Sequence, residues 1–274
     1  MRRLVPLAPL LLIAAAGGPD RLQAEERIPR VALIIDDFGC SFGETARAFL
    51  EMDADLTISV LPGEPFTGKV ARTVLAEGKD LLLHLPMEPL GYPAQDPGPR
   101  AVLLAQTDDE VRARVRSALD GIEGLVGVSN HMGSRAMQEE RILRILLGEV
   151  GERGLFFLDS KTFSGDLATT VAGSMGVRCL ENDLFWDTGV DEREAIRAKL
   201  DRLVGLARRR GYAIGIGHPR PVTLEVLREK LPEMERLGVR LVPIRDLAAA
   251  SNGSSGTGLR DAEDRLPAAA DSYR

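Results

Sequence analysis

The sequence is poor in aromatic residues, which make up 4% of its 274 positions. Platforms on which the bases of a single strand could stack are therefore not expected. Positive charge is not in excess either: 35 Lys and Arg stand against 41 Asp and Glu, a formal net charge of -6. A nucleic-acid binder needs a basic face to neutralise phosphates, so nucleic acid is excluded as a partner, and the acidity is read as plain solubility. Cysteine occurs only twice, at Cys40 and Cys179, and two buried free thiols are expected rather than a disulfide. Histidine occurs only three times. A glycine-rich phosphate turn is missing after the first apolar run, where "VALIIDDFG" instead ends in two carboxylates that would repel phosphate. That removes the usual signature of a doubly wound nucleotide-binding sheet.

What is present is a globular composition, 44% hydrophobic and 28% charged. Arg2 and Arg3 precede "LVPLAPLLLIAAAG", a run too short and too broken by proline and glycine for a comfortable membrane span. With "RLQA" ending at Ala24, residues 1–24 read as a secretory signal peptide, an uncleaved anchor being the alternative. The protein is accordingly expected to be periplasmic or secreted, and not integral to the membrane once the signal is removed. From Ser251 the chain is rich in Gly, Ser, Ala and charge without periodicity, so 251–274 reads as a disordered tail. Residues 25–250 remain as one domain.

Within it, eight short apolar runs alternate with helical segments: "VALIID", "LTISVL", "DLLLHL", "LVGVSN", "GLFFLD", "GVRCLE", "YAIGIG" and "VRLVPI". Several are continuous rather than alternating, as in parallel strands covered on both faces. Thr107 and Glu110 form a capping box before one helix. Another is expected to bury Ile196, Leu200, Leu203, Val204 and Ala207 and to stop at Gly211. A third should turn Leu224, Leu227, Leu231 and Leu237 inward, with Pro232 kinking or interrupting it. The alternation predicts an α/β fold, a deformed (β/α) barrel of about seven or eight parallel strands.

Chemistry in such a barrel gathers at the C-terminal strand ends. Those ends carry Asp36 and Asp37, then His84, then Ser129, Asn130 and His131, then Asp159 and Lys161, then His218. All three histidines of the chain stand there. One alone would be read as a packed or loop residue; three on the same edge as two aspartates point to a site. Two histidines and a carboxylate are the usual donors of a catalytic zinc-type centre with a position left for water. One aspartate of the pair can hold metal while its neighbour acts as base. Adjacent strand residues point to opposite faces, so a turn at Phe38-Gly39 is expected to bring both carboxylates round. Trp186, beside Asp183 and Asp187, is read as a core tryptophan in preference to a sugar-stacking platform.

"IIDDFG", "HLPMEP", "NHMGSR", "FLDSKT" and "GHPRP", in that order, resemble the divergent branch of the polysaccharide deacetylases, over roughly residues 28 to 248. The resemblance implies a deformed barrel and metal-dependent hydrolysis of acetyl groups on a glycan. It implies Asp36 as base, Asp37 and His84 as ligands of a divalent metal, zinc or a similar ion, and His218 as acid. The main family has a second histidine four residues after the first, where this chain has Glu88. His131 is therefore expected to complete the metal site. Glu88 is a ligand, a group orienting His84, a substrate contact or a solvated charge. Arg135 stands nearest to the main family's arginine motif. Asp159 is expected to tune the base or bind substrate, and Asn130 and Lys161 to contact substrate. Metal-dependent deacetylation of a cell-envelope glycan is the leading expectation. The alternatives are a weak or inactive barrel that binds glycan or regulates a cell-wall hydrolase, and an amidase or esterase on another substrate.

Overall fold

A computed structural model describes residues 28–189 and 191–250. The expected signal peptide and tail lie outside the described residues. The strands are β1 (Arg30–Phe38), β2 (Leu56–Val60), β3 (Asp80–Met87), β4 (Gly127–Met132), β5 (Phe156–Asp159), β6 (Cys179–Glu181), β7 (Leu184–Phe185), β8 (Tyr212–Gly217) and β9 (Arg240–Leu241). They form one sheet in the order β6-β5-β4-β3-β2-β1-β8-β7, every pair parallel, with β9 added to β1. The helices are α1 (Glu44–Leu50), α2 (Thr67–Ala76), α3 (Asp108–Asp120), α4 (Glu140–Glu152), α5 (Leu167–Met175), α6 (Arg193–Arg210), α7 (Pro221–Arg236) and α8 (Ile244–Ala250).

β6 and β7 are two pieces of one stretch that passes from one edge of the sheet to the other. The Asn182 amide donates to the Asp159 carbonyl beside β5, and the next amide, of Asp183, donates to Ile214 of β8, both at 2.9 Å. The sheet thus curls into the deformed barrel expected. Strand alternation sorts its side chains. Val31, Leu33 and Ile35 face outward with Leu81, Leu83, Val128 and Phe157, into the layer beneath the helices. Ala32, Ile34, Leu82, Phe156, Leu158, Ile214 and Ile216 form the separate cluster inside. The end of the barrel where the strands begin is plugged by α8, whose Ile244, Leu247 and Ala248 join that inner cluster. The plug is tied down where the Ile244 amide donates to Thr57 Oγ1 at 3.3 Å and the Arg245 amide to buried Asp80 at 2.9 Å. The opposite end is left for chemistry.

The capping box of Thr107 and Glu110 starts α3, and α6 buries the five residues expected before ending at left-handed Gly211. α7 runs through Pro232 to Arg236 without interruption, and one helix expectation is corrected: Leu237, past its end, is 42% exposed rather than inward. Both cysteines are free, but Cys40 is exposed and Cys179 only half-buried.

Candidate active site

The inner face of the barrel is apolar for two layers and then changes character. Following each strand by twos, Ala32 and Ile34 lead to Asp36, Leu82 leads to His84, and Ile214 and Ile216 lead to His218. On β4 the same face carries Ser129 and His131, which the register places opposite His84 and Pro86. Two carboxylates and three imidazoles thus meet over a hydrophobic floor.

Asp37 is out of phase with this layer, and the chain bends to admit it. The bend begins at Asp37 itself, one residue before the expected Phe38-Gly39 turn, which is also present with Gly39 at φ 121°. Asp37 has φ 63°, and the pairing of β1 with β2 slips between Ile35 and Phe38. A left-handed aspartate is strained by about 1 kcal/mol or more, and such strain collects at functional sites. Met132 and Lys161, at the ends of β4 and β5, are the other non-glycine residues with positive φ among those described.

Asp37 Oδ1 lies 2.9 Å from His131 Nδ1 and 3.3 Å from His84 Nε2. One donor atom from each of Asp37, His84 and His131 falls within 4.8 Å of the others, spacing that suits a shared cation. Burial resists the charge of Asp37, but the hydrogen bonds and charge of His131 and His84 hold its carboxyl well below the usual range. Asp36 differs. It is fully buried, and neither oxygen has a hydrogen-bond partner among the described residues. Desolvation is the strongest influence on it and raises its pKa, with His84 opposing and Asp37 adding to the rise. One aspartate of the pair is a poised anion and the other a basic carboxylate. Unpartnered buried polar atoms are rare in folded proteins and ask for an explanation. Here Asp36 and His84 Nε2 face the same small space. The donor set fits a divalent metal.

His218 Nε2 reaches toward Asp37 Oδ2 at 3.8 Å, and its Nδ1 is held by Asp187 Oδ1 at 2.8 Å. The other Asp187 oxygen accepts from the His218 amide at 2.7 Å and from Thr223 Oγ1 at 2.8 Å. Arg220 donates to the Asp187 carbonyl. Burial works against a charged imidazole, but Asp187 outweighs it and pushes the His218 pKa up to about 9. Asp187 is the residue of this centre that sequence reasoning had not assigned a role. Trp186, next to it, is completely buried as core, not a platform. Its ring lies against the bare backbone of β8: a Cβ on Gly217 would stand 2.2 Å from Trp186 Cζ2. Gly217→Ala is therefore expected to destabilise the protein by about 1–3 kcal/mol through overpacking, read as a lower denaturation midpoint.

The remaining sequence candidates sit around this centre and hold its loops. Glu88 is buried; one oxygen accepts from Arg135 at 2.9 Å and the other from the Leu104 amide at 2.7 Å. Glu88 and Arg135 thus pair with each other and strap the β3–α3 loop to the β4–α4 loop. Asn130 accepts the Ser160 amide at 2.9 Å and donates to the Met132 carbonyl at 2.8 Å. Asp159 accepts the Lys161 amide at 2.7 Å, and Lys161 Nζ reaches Glu181 at 2.8 Å. Among the described residues no helix is long and apolar enough to cross a membrane.

Known proteins show the same organisation. A solved structure, an uncharacterized protein (ATU2773) from Agrobacterium tumefaciens C58, matches with a TM-score of 0.77 and 26% identity, over 83% of this chain and 92% of that one. An uncharacterized protein of Haemophilus influenzae is 32% identical over 207 residues, 74% of this chain and 72% of its own length. The Escherichia coli K12 protein YibQ, also uncharacterized, is 32% identical over 73% of this chain, which spans 61% of that relative's length. The pattern of the divergent polysaccharide deacetylases matches residues 33–248, from the middle of β1 into α8. The barrel and the residues at its open end are those of that stretch, and the chain belongs to the divergent polysaccharide deacetylase family.

Proposed function

We propose that this protein is a metal-dependent hydrolase that removes acetyl groups from a cell-envelope polysaccharide, in the periplasm or outside the cell. The observation that carries the reading is the pairing of a basic, unpartnered Asp36 with an Asp37–His84–His131 cluster in one buried layer. Asp37, His84 and His131 would hold a divalent ion such as zinc. Such an ion supplies Lewis acidity and brings the pKa of water toward about 7.

The chain's own residues account for the proton movements. Asp36 accepts a proton from the water whose oxygen attacks the acetyl carbon. Its raised pKa makes it a better base than an exposed aspartate. His218 faces the site through Nε2 while Asp187 fixes Nδ1. As an imidazolium it donates the Nε2 proton to the departing sugar nitrogen or oxygen as the bond to the acetyl carbon breaks. Acetate and a free amine or hydroxyl are the products; Asp36 then gives up its proton and His218 takes one back, which returns both groups to their starting states.

The test is metal content followed by acetate release. Purified protein is expected to take up about one divalent ion per chain, to release acetate from acetylated envelope glycans, and to lose that activity to a chelator. A protein that takes up no divalent ion sinks the hydrolase reading. One that binds metal yet is inert on a broad panel of acetylated glycans favours a glycan-binding or regulatory role.

A further inference from the structure

β4 sends two polar side chains to the inner face at its C-terminal end, and the hydrolytic reading uses only His131. The other is Ser129, two positions earlier and so on the same side of the strand. The β3–β4 register sets it directly across from His84. Its Oγ lies 2.7 Å from His84 Nδ1, with both residues out of solvent. The other nitrogen of that ring, Nε2, faces Asp37 at 3.3 Å and Asp36 at 3.5 Å. His131 turns a different atom to the same place, its Nδ1, 2.9 Å from Asp37. The two rings stand edge to face, 71° apart with centroids 5.0 Å apart.

A hydroxyl can donate or accept, and a neutral imidazole carries its proton on one nitrogen only. If Ser129 donates to Nδ1, the His84 proton sits on Nε2 and blocks the nitrogen that faces the carboxylates. If Ser129 accepts from Nδ1–H, Nε2 is left with a bare lone pair pointing into the cluster. We propose that Ser129 is a positioning residue that accepts a hydrogen bond from His84 Nδ1–H, so that this chain offers a metal one Nε2 and one Nδ1 donor. A partner on the far nitrogen fixes both ring orientation and basicity in metal-binding histidines. The assignment rests on the hydrolase reading, because it concerns the same cluster.

Zinc titration of metal-stripped protein against a competing chelator tests it, alongside nitrogen NMR of the imidazoles in the zinc-loaded state. In zinc-loaded wild type, His84 is expected to keep its proton on Nδ1. Ser129→Ala is expected to bind zinc about 10–100-fold more weakly. Ser129→Thr, which keeps a hydroxyl, is expected to recover part of the affinity. Wild-type protein that takes up no zinc defeats the hydrolase reading and this assignment with it. Zinc binding that is tight in wild type and equally tight in Ser129→Ala overturns the assignment alone. Should Ser129→Ala fail to fold, zinc-loaded wild type still decides: a proton on His84 Nε2 there overturns it.

Discussion

Asp36→Asn is expected to lower acetate release by about 10²–10⁴-fold, the range typical for loss of a general base. It is expected to do so while leaving metal uptake close to wild type, since Asp37, His84 and His131 are untouched. The same change should make the metal-free protein more stable, and that second expectation separates a buried base from a structural carboxylate. Asp36 is fully buried with no hydrogen-bond partner among the described residues, and burial is the main influence raising its pKa. A carboxyl whose folded pKa lies above its unfolded value binds its proton more tightly when folded. Its contribution is therefore favourable at low pH and is lost as pH rises from the model-peptide value of 3.8 through the raised folded value. An amide of the same shape has no such loss. Thermal unfolding of chelator-treated wild type and Asp36→Asn should agree in acid and diverge toward neutral pH, with the variant melting higher. A variant that melts lower at neutral pH would show that Asp36 holds the fold together, and its role as base would fall.

The parallel strands and the histidine-bearing edge were legible because burial on both faces writes continuous apolar runs, and a polar residue ending such a run is conspicuous. Asp36, His84 and His218 each follow interior apolar residues by two positions, so the same period that predicts the strands also places the site. Three features were not legible, each for a local reason. β7 has two residues, too few for any period. Asp187 follows it, and its partner His218 lies 31 positions later, so nothing near Asp187 in sequence marks its role. The bend at Asp37 needs a left-handed aspartate inside a strand, where extended backbone is the default. Glu88, standing where the main family's second histidine was expected, is turned to Arg135 and the Leu104 amide. The opposing strand supplies the imidazole instead, since His131 sits across from Pro86, two residues beyond His84.

Asp187→Asn should have the second large effect, and its sign can be worked out. With Asp187 in place, His218 is held at about 9 against a reference of 6.5, a difference on the order of 3 kcal/mol between its protonation states. A raised imidazole pKa contributes stability that is fully present below 6.5 and fades as pH climbs through about 9. Asp187 is itself lowered, by His218 and Arg220 against the opposing effect of burial, so its own contribution fades only in acid. Between those limits the pair is a buried ion pair, closed by the Thr223 hydroxyl and the His218 amide. The asparagine keeps the shape and removes the charge, after which burial, opposed only by the charges of Asp37 and Asp36, brings the His218 pKa down. Proton NMR of the metal-free variant should find the ring neutral at pH 7, where in wild type it is charged. Acetate release at neutral pH should fall by about 10²-fold or more, because the proton donor to the leaving atom is then already deprotonated. Lower pH recharges the ring, so part of the loss should return until protonation of Asp36, whose own pKa is raised, cancels the gain. A His218 that still titrates near 9 without the Asp187 charge would mean that Asp187 only shapes the β8–α7 turn, and the acid role of His218 would need another source for its proton affinity.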